Sequence, residues 1–241
     1  MNKFKIFIFL FIATALYPQD ANQIIKNVDR LMFPGAKSEI RLVFNKGAAK
    51  AEEYDFISYS KNSNQKIIIR FLAPQSIVGD DLLFIDQNVW SLDKKSGRIM
   101  KIPSNLTFGA TGFSFGDVVR LNMEDNYSAQ IVKQDNSEWF VNLTSKDRNA
   151  PYYRIELEVK KNGCIPVKGI CFGRNNKIIK TMEYEDVKSI NNEMKPTKVI
   201  VKTPLLPGQL STLILESETF KSFPDSIFNK DKLKEHLESR Y

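Results

Sequence analysis

The chain has 241 residues, of which 42% are hydrophobic and 26% are charged, as is usual for a folded globular protein. This composition excludes an intrinsically disordered chain and a protein with many membrane-spanning helices. The net charge of +7 indicates an acidic partner surface, such as anionic lipid head groups. Nucleic acid is a poor match, because the lysines are scattered and no basic run alternates with stacking aromatic residues.

The first residues are typical of a secretory signal peptide. A basic start precedes the almost entirely apolar run Phe4–Ile12, and Ala13-Thr14-Ala15 has the small-residue pattern of a cleavage site. The run of about 9 apolar residues is too short to cross a bilayer as a helix. A buried N-terminal strand or an uncleaved anchor is the alternative. We therefore predict a signal peptide over residues 1–15, cleaved near Ala15, and an exported, soluble mature protein.

An amphipathic helix is predicted next, over Asp20–Phe33. Ile24, Ile25, Val28 and Leu31 recur at helical spacing, and Pro34-Gly35 ends the pattern. Asp20 or Asn22 caps the start of the helix. The apolar stripe predicts that one face of this helix packs on a core.

From Glu39 onward the apolar residues alternate with a period of two, which predicts strands. Tight-turn dipeptides such as Asn162-Gly163 separate many of them. Gln65–Leu72 is apolar on both faces, as expected for a central strand covered on both sides. No linker or repeat interrupts the series, so residues 20–241 are predicted to form one mainly β (α+β) domain of roughly a dozen short strands. The predicted strands are Glu39–Phe44, Tyr54–Tyr59, Gln65–Leu72, Leu82–Asp86, Val89–Leu92, Arg98–Ile102, Tyr127–Lys133, Glu138–Thr144, Tyr153–Lys160, Cys164–Phe172, Lys177–Tyr184, Lys195–Lys202 and Ser211–Glu218.

Two segments break the strand series. Phe108–Val119 is rich in glycine and phenylalanine, and we predict that it forms a mobile flap that covers an apolar cavity through Phe113 and Phe115. A short helix is predicted over Val118–Met123, directly after Asp117. Near the end of the chain, Asn229 is expected to cap a helix over Lys230–Glu238.

Catalytic chemistry finds no support in the sequence. His236 is the single histidine, so neither a zinc site nor a Ser/His relay can be assembled. The spacing Gly109-x-x-Gly112 lacks the Gly-Lys-Ser/Thr ending of a phosphate loop, and Asp80-Asp81 is typical of a turn. We therefore predict no catalytic residues, no metal site and no cofactor.

The two cysteines are predicted to be free thiols. Cys164 and Cys171 fall on one predicted strand, where seven extended residues span roughly 23 Å. A disulfide needs Cα atoms about 4.4–6.8 Å apart, so the two could be joined only if Gly169 broke the strand into a hairpin.

Several short motifs follow one another in a fixed order: Asp29-Arg30-Leu31-Met32-Phe33-Pro34, Phe71-Leu72-Ala73-Pro74, Trp90, Phe113-Ser114-Phe115-x-Asp117-Val118, Ile165-Pro166, Lys177-Ile178-Ile179-Lys180-Thr181, Lys195-Pro196 and Phe228-Asn229-x-x-x-Leu233. In this order they resemble the outer membrane lipoprotein-sorting proteins related to the LolA and LolB lipoprotein carriers. The resemblance covers nearly the whole chain after the signal peptide.

The resemblance implies an unclosed, strongly curved antiparallel β-barrel of about 11 strands, with helices covering an apolar cavity. It further implies a monomeric periplasmic carrier without cofactor or catalytic residues. Such a carrier holds lipoprotein acyl chains or other lipids and exchanges them with inner- and outer-membrane transport proteins. Two other functions stay open. One is a lipid shuttle or accessory protein of an inner-membrane exporter, and the other is a lipid-sensing envelope-stress module.

Candidate cavity residues come from strand alternation. On Glu39–Phe44 only the face with Ile40, Leu42 and Phe44 is wholly apolar, so this face is predicted to point inward. The same alternation places Phe56 inward on the next strand. Together with Phe113 and Phe115 of the predicted flap, these four residues are the predicted contacts for acyl chains.

Overall fold

A computed structural model of the chain describes residues 20–45, 51–61, 66–85, 88–103, 123–148 and 150–234. The predicted signal peptide at residues 1–15 lies outside these ranges. The predicted flap Phe108–Val119, with its two candidate contacts Phe113 and Phe115, and His236 also lie outside them.

Helix α1 spans Ala21–Met32 and confirms the first predicted element. Asp20 is its N-cap, in an extended conformation, and its carboxylate accepts the N–H of Asn22 at 2.9 Å. The apolar stripe of the helix is buried: Ile24, Ile25 and Val28 are almost completely inaccessible to solvent. The helix therefore packs on the core through the face that the sequence indicates.

Thirteen strands form a single sheet in which every neighbouring pair is antiparallel. In spatial order the sheet runs β6-β5-β4-β3-β2-β1-β13-β12-β11-β10-β9-β8-β7. The strands are β1 (Ala36–Asn45), β2 (Glu52–Lys61), β3 (Lys66–Ala73), β4 (Asp81–Ile85), β5 (Asn88–Asp93), β6 (Arg98–Ile102), β7 (Tyr127–Gln134), β8 (Glu138–Ser145), β9 (Arg154–Lys160), β10 (Ile165–Phe172), β11 (Ile178–Ile190), β12 (Glu193–Lys202) and β13 (Leu210–Phe220).

This order describes two meanders that meet in the middle of the sheet. β1 to β6 form one meander and β7 to β13 form the other, and the pairing of β1 with β13 joins them. Within the described residues β6 and β7 are the outer edges and do not pair with each other, so the sheet is unclosed. The predicted fold class is confirmed, with thirteen strands where the resemblance implies about 11.

The turn residues that predicted hairpins adopt the required backbone conformations. Gly163 has φ 81°, and Asn191 and Asn192 have φ 50° and 66°. Such positive φ values are favourable for glycine and are tolerated best by asparagine among the other residues. At the β7–β8 turn, the carboxylate of Asp135 accepts the N–H of Ser137 and of Glu138, each at 2.8 Å.

Both faces of the sheet are buried at β3. Ile67, Ile69 and Phe71 belong to the core cluster that contains α1, whereas Ile68 points to a second cluster. We call the first side the helix face. The second side packs against residues 221–234 and is called the C-terminal face. The prediction that this strand is covered on both sides is therefore confirmed.

The segment over the C-terminal face corrects one prediction. Phe223, Ile227, Phe228 and Leu233 are buried against the sheet, and the chain forms short 3-10 turns there. Asn229 does accept the N–H of Asp231, but a 3-10 turn over Lys230–Lys232 stands where the helix was predicted to begin. Residues 235–238 of the predicted helix lie outside the described residues. Packing of closely spaced apolar side chains on the sheet overrides the local helical preference.

Both cysteines are free, as predicted. Cys171 is buried on β10, and Cys164 lies in the turn before that strand with φ 52°. The amide of Asn27 on α1 contacts the Cys164 sulfur at 3.7 Å, so this turn lies against the helix.

Candidate functional site

The sheet wraps around α1. The helix contacts β7, β10 and β12, although β7 and β12 are five positions apart in the sheet. At about 4.8 Å per strand a flat sheet would separate these two strands by roughly 24 Å, which exceeds the length of about 18 Å of this 12-residue helix. The helix face is therefore the concave side of the sheet, and α1 lies within the curve.

The register builds a continuous apolar surface on this concave side. Ile40 lies opposite Phe56, and Phe56 lies opposite Phe71. In the other direction Leu42 lies opposite Leu213, which in turn lies opposite Val199. Directly opposite residues share a face, so these side chains line a surface that crosses five strands on the helix face.

The candidate residues within the described ranges fall on this surface. Leu42 and Phe56 are almost fully buried in the cluster with α1, and Ile40 is half-buried against it. Phe44 is 1% exposed at the end of the same strand face. Arg41 lies on the opposite face, where its guanidinium contacts Asp55 at 2.9 Å. A role for these apolar residues in holding a ligand stays a prediction.

A buried carboxylate lies among the apolar residues of α1. Asp29 is 2% exposed and accepts the backbone N–H of Glu124 at 2.8 Å through Oδ2. Its other oxygen has no hydrogen-bond partner among the described residues. Burial raises the pKa of Asp29 to about 8, against the opposing effect of the N–H groups of Glu124 and Met123. At neutral pH this carboxyl is therefore mostly protonated.

Asp29 ties α1 to a second short helix, α2, which spans Met123–Asn126. Lys26 reinforces the contact with a salt bridge to Glu124 at 3.2 Å. Met123 is buried in the helix-face cluster, so α2 covers part of the same core. The predicted helix Val118–Met123 lies outside the described residues except for Met123.

A buried ion pair occupies one end of the concave face. The Lys195 ammonium lies 2.8 Å from a carboxylate oxygen of Glu218, and both side chains are almost inaccessible. The hydroxyl of Ser38 donates to the other oxygen of Glu218 at 3.2 Å. By strand alternation Ser38 shares a face with Ile40 and Leu42, so this polar group borders the apolar surface.

Sequence reasoning missed both polar features. Asp29 lies four residues after Ile25, and this spacing places it on the apolar side of the helix. The sequence therefore contained this signal, but Glu124, the hydrogen-bond partner of Asp29, is 95 positions away along the chain. The ion pair becomes visible only once β12 and β13 are aligned in the sheet.

Other kinds of site find no support within the described ranges. No three His, Cys, Asp or Glu side chains come together there as a possible metal site. Among the described residues there is also no helix with the length and apolar character needed to span a membrane. A shallow pocket does occur near Gly35, Ser60 and Lys221, but it lies outside the core cluster that contains α1.

Comparison with solved structures identifies the fold as LolA-like. The chain superposes on a LolA superfamily protein from Nitrosomonas europaea with a TM-score of 0.79 and 23% identity, covering 88% of this chain and 98% of that one. A protein domain named for outer membrane lipoprotein sorting, from Vibrio parahaemolyticus, gives a TM-score of 0.75 and 16% identity, with 89% and 98% covered. A DUF1329 family protein from Desulfovibrio piger gives 0.76 and 16%, with 88% and 97% covered.

Sequence comparison adds the family. The model of a family described as "-like: Uncharacterized protein" matches residues 63–235. This is well over half of the chain, so the chain belongs to that family. No curated protein matches the sequence. The predicted resemblance to lipoprotein-sorting proteins is confirmed by the solved structures at the level of the fold.

Proposed function

We propose that this protein is a periplasmic carrier that binds the acyl chains of lipoproteins on the helix face of its sheet and moves them toward the outer membrane. The observation that carries the proposal is the continuous apolar surface of the helix face, which runs from Phe71 through Ile40 and Leu42 to Val199. The protein acts by binding and needs no catalytic residue. Its localisation rests on the predicted signal peptide and on the fold.

The free energy of such a carrier comes from apolar burial. Each methylene removed from water contributes about 0.8 kcal/mol, so a sixteen-carbon chain gains on the order of 10 kcal/mol. An acyl chain cannot leave a bilayer for water against this cost unless a protein surface replaces the lipid. The leucine, isoleucine and phenylalanine side chains of the helix face offer that surface.

Release requires that the empty carrier also be stable. Ile24, Ile25 and Val28 of α1 are buried in the same core cluster as Leu42 and Phe56, so we expect cargo and helix to compete for this apolar core. The helix is anchored by polar contacts, among them the salt bridge of Arg30 with Glu193 at 2.7 Å. Exposed ion pairs contribute roughly 0–1 kcal/mol each, so the helix can move when cargo enters.

The proposal is tested by binding of an acylated peptide to paired variants of β1. Leu42→Ser removes apolar wall from the concave face and is expected to weaken binding at least tenfold, whereas Arg41→Ser on the opposite face leaves binding nearly unchanged. Because Leu42 is fully buried, Ile40→Ser serves as a second variant at a half-buried position of the same face. Circular dichroism confirms that each variant is folded.

The proposal would be contradicted if Leu42→Ser and Ile40→Ser bound the acylated peptide like wild type while Arg41→Ser lost binding. The acyl site would then not lie on the helix face. Mass spectrometry of lipids that co-purify with the wild-type protein from its native envelope identifies the cargo. Acylated lipoprotein supports the proposal as stated, whereas free phospholipid alone would make the protein a lipid shuttle.

A further inference from the structure

Three connections lie side by side at one end of the sheet. They join β8 to β9 (residues 146–153), β10 to β11 (residues 173–177) and β12 to β13 (residues 203–209). Since the six strands are consecutive in the sheet, the alternating direction of antiparallel strands places all three connections at the same end. We call this surface the loop rim and include Ile178, the first residue of β11.

Specific contacts hold the loop rim together. The hydroxyl of Thr203 donates to the carbonyl of Ile179 at 2.8 Å, which ties the third connection to the start of β11. The guanidinium of Arg174 donates to the carbonyl of Arg148 at 2.6 Å and lies 5.7 Å from the ring centre of Tyr153. The three connections therefore form one contiguous surface.

Apolar side chains project from the loop rim into solvent. Leu205 is 80% exposed, the largest value among the large apolar side chains of the described residues. It stands on a connection that contains Pro204, Pro207 and Gly208, and Gly208 has φ 74°. Ile178 and Tyr153 add exposed apolar surface at 44% and 41%.

Basic side chains surround these apolar ones. Lys146, Arg148, Arg174 and Lys177 are exposed on the loop rim, and Asp147 is its single acidic residue. A protruding leucine surrounded by basic residues complements an anionic bilayer, in which charged head groups lie above the acyl chains. A protein partner of standard size would more often contact a broader apolar patch than one projecting side chain.

We propose that the loop rim docks reversibly on bilayers with anionic head groups, with Leu205 inserted between the lipids and the basic residues against their phosphates. This surface is separate from the helix face and goes beyond the proposed cargo binding. It would hold a carrier at the membrane where cargo is exchanged. Because hydrophobic and electrostatic contributions act together, neither the leucine nor the charges suffice for strong binding alone.

Co-sedimentation with unilamellar vesicles tests the proposal. Wild type is expected to bind vesicles of equal parts phosphatidylglycerol and phosphatidylcholine, and to bind much less to pure phosphatidylcholine or at high salt. Leu205→Ser should reduce binding about tenfold, and Lys177→Ser about fivefold. Met194→Ser is the matched control, because Met194 is 51% exposed at the opposite end of the sheet, beside the β11–β12 turn.

Absence of binding to the anionic vesicles would overturn the proposal and would favour a protein receptor for the loop rim. Equal losses in Leu205→Ser and Met194→Ser would also overturn it, since binding would then not depend on this end of the sheet. Leu205→Ser is expected to keep wild-type affinity for acylated peptide. Failure of membrane docking is thereby distinguishable from failure of the proposed cargo binding.

Discussion

The two faces of the same strands are covered in different ways. On the C-terminal face, Tyr59 meets Phe223 edge to face with ring centres 5.6 Å apart, and the neighbouring side chains in that cluster are apolar. On the helix face, the cover is a helix that carries a buried carboxyl group and is anchored by ion pairs. This difference fits the proposed function, in which the helix face is uncovered when cargo binds and the C-terminal face stays covered.

The largest effect on stability is expected on the C-terminal face. Phe223→Ala removes a ring that is 1% exposed and leaves a cavity against Tyr59, so the free energy of unfolding should fall by about 4 kcal/mol. Denaturant unfolding measures this change. The folded fraction should bind acylated peptide like wild type, and a lost affinity with little change in stability would reverse the roles of the two faces.

The buried ion pair at the end of the helix face should have a somewhat smaller effect. Lys195→Met leaves Glu218 buried without its cation, which should lower the free energy of unfolding by about 3 kcal/mol. The double variant Lys195→Met, Glu218→Met removes both charges and should recover most of this loss. A double variant as unstable as the single one would show that the pair itself is strongly stabilising.

The buried carboxyl group of Asp29 should make the stability of the protein depend on pH. With its pKa raised to about 8, Asp29 binds a proton in the folded state that the unfolded chain releases near its usual pKa of 3.8. The folded state therefore holds more protons between these two values, so this residue makes the protein less stable as the pH rises from 4 to 8. We expect Asp29 to account for about 2 kcal/mol of loss between pH 6 and pH 7.5.

Asp29→Asn keeps an acceptor for the N–H of Glu124 but cannot ionise. Thermal unfolding across this pH range should therefore show a smaller decline for the variant than for wild type. Parallel pH profiles of the two proteins would contradict a raised pKa at this position.

The alternation of apolar and polar residues predicted more of the fold than local helix propensity did. The pattern of Gln65–Leu72 predicted a strand buried on both sides, and β3 is buried on both sides. What covers the second side was not predictable, because Phe223 and Leu233 reach it from the other end of the chain and Leu233 lies in a stretch predicted as a helix. For the same reason the partner of Asp29 emerged only from the folded chain.

The two tryptophans test the central claim most directly, because they lie on different faces. Trp139 belongs to the helix-face cluster, whereas Trp90 packs against the cluster of the C-terminal face. In Trp90→Phe only Trp139 emits, and in Trp139→Phe only Trp90 emits. With an acylated peptide that carries bromine on its chain, quenching of Trp139 and an unchanged Trp90 signal are the predicted result. Quenching of Trp90 alone, or of neither residue at saturating ligand, would contradict binding on the helix face.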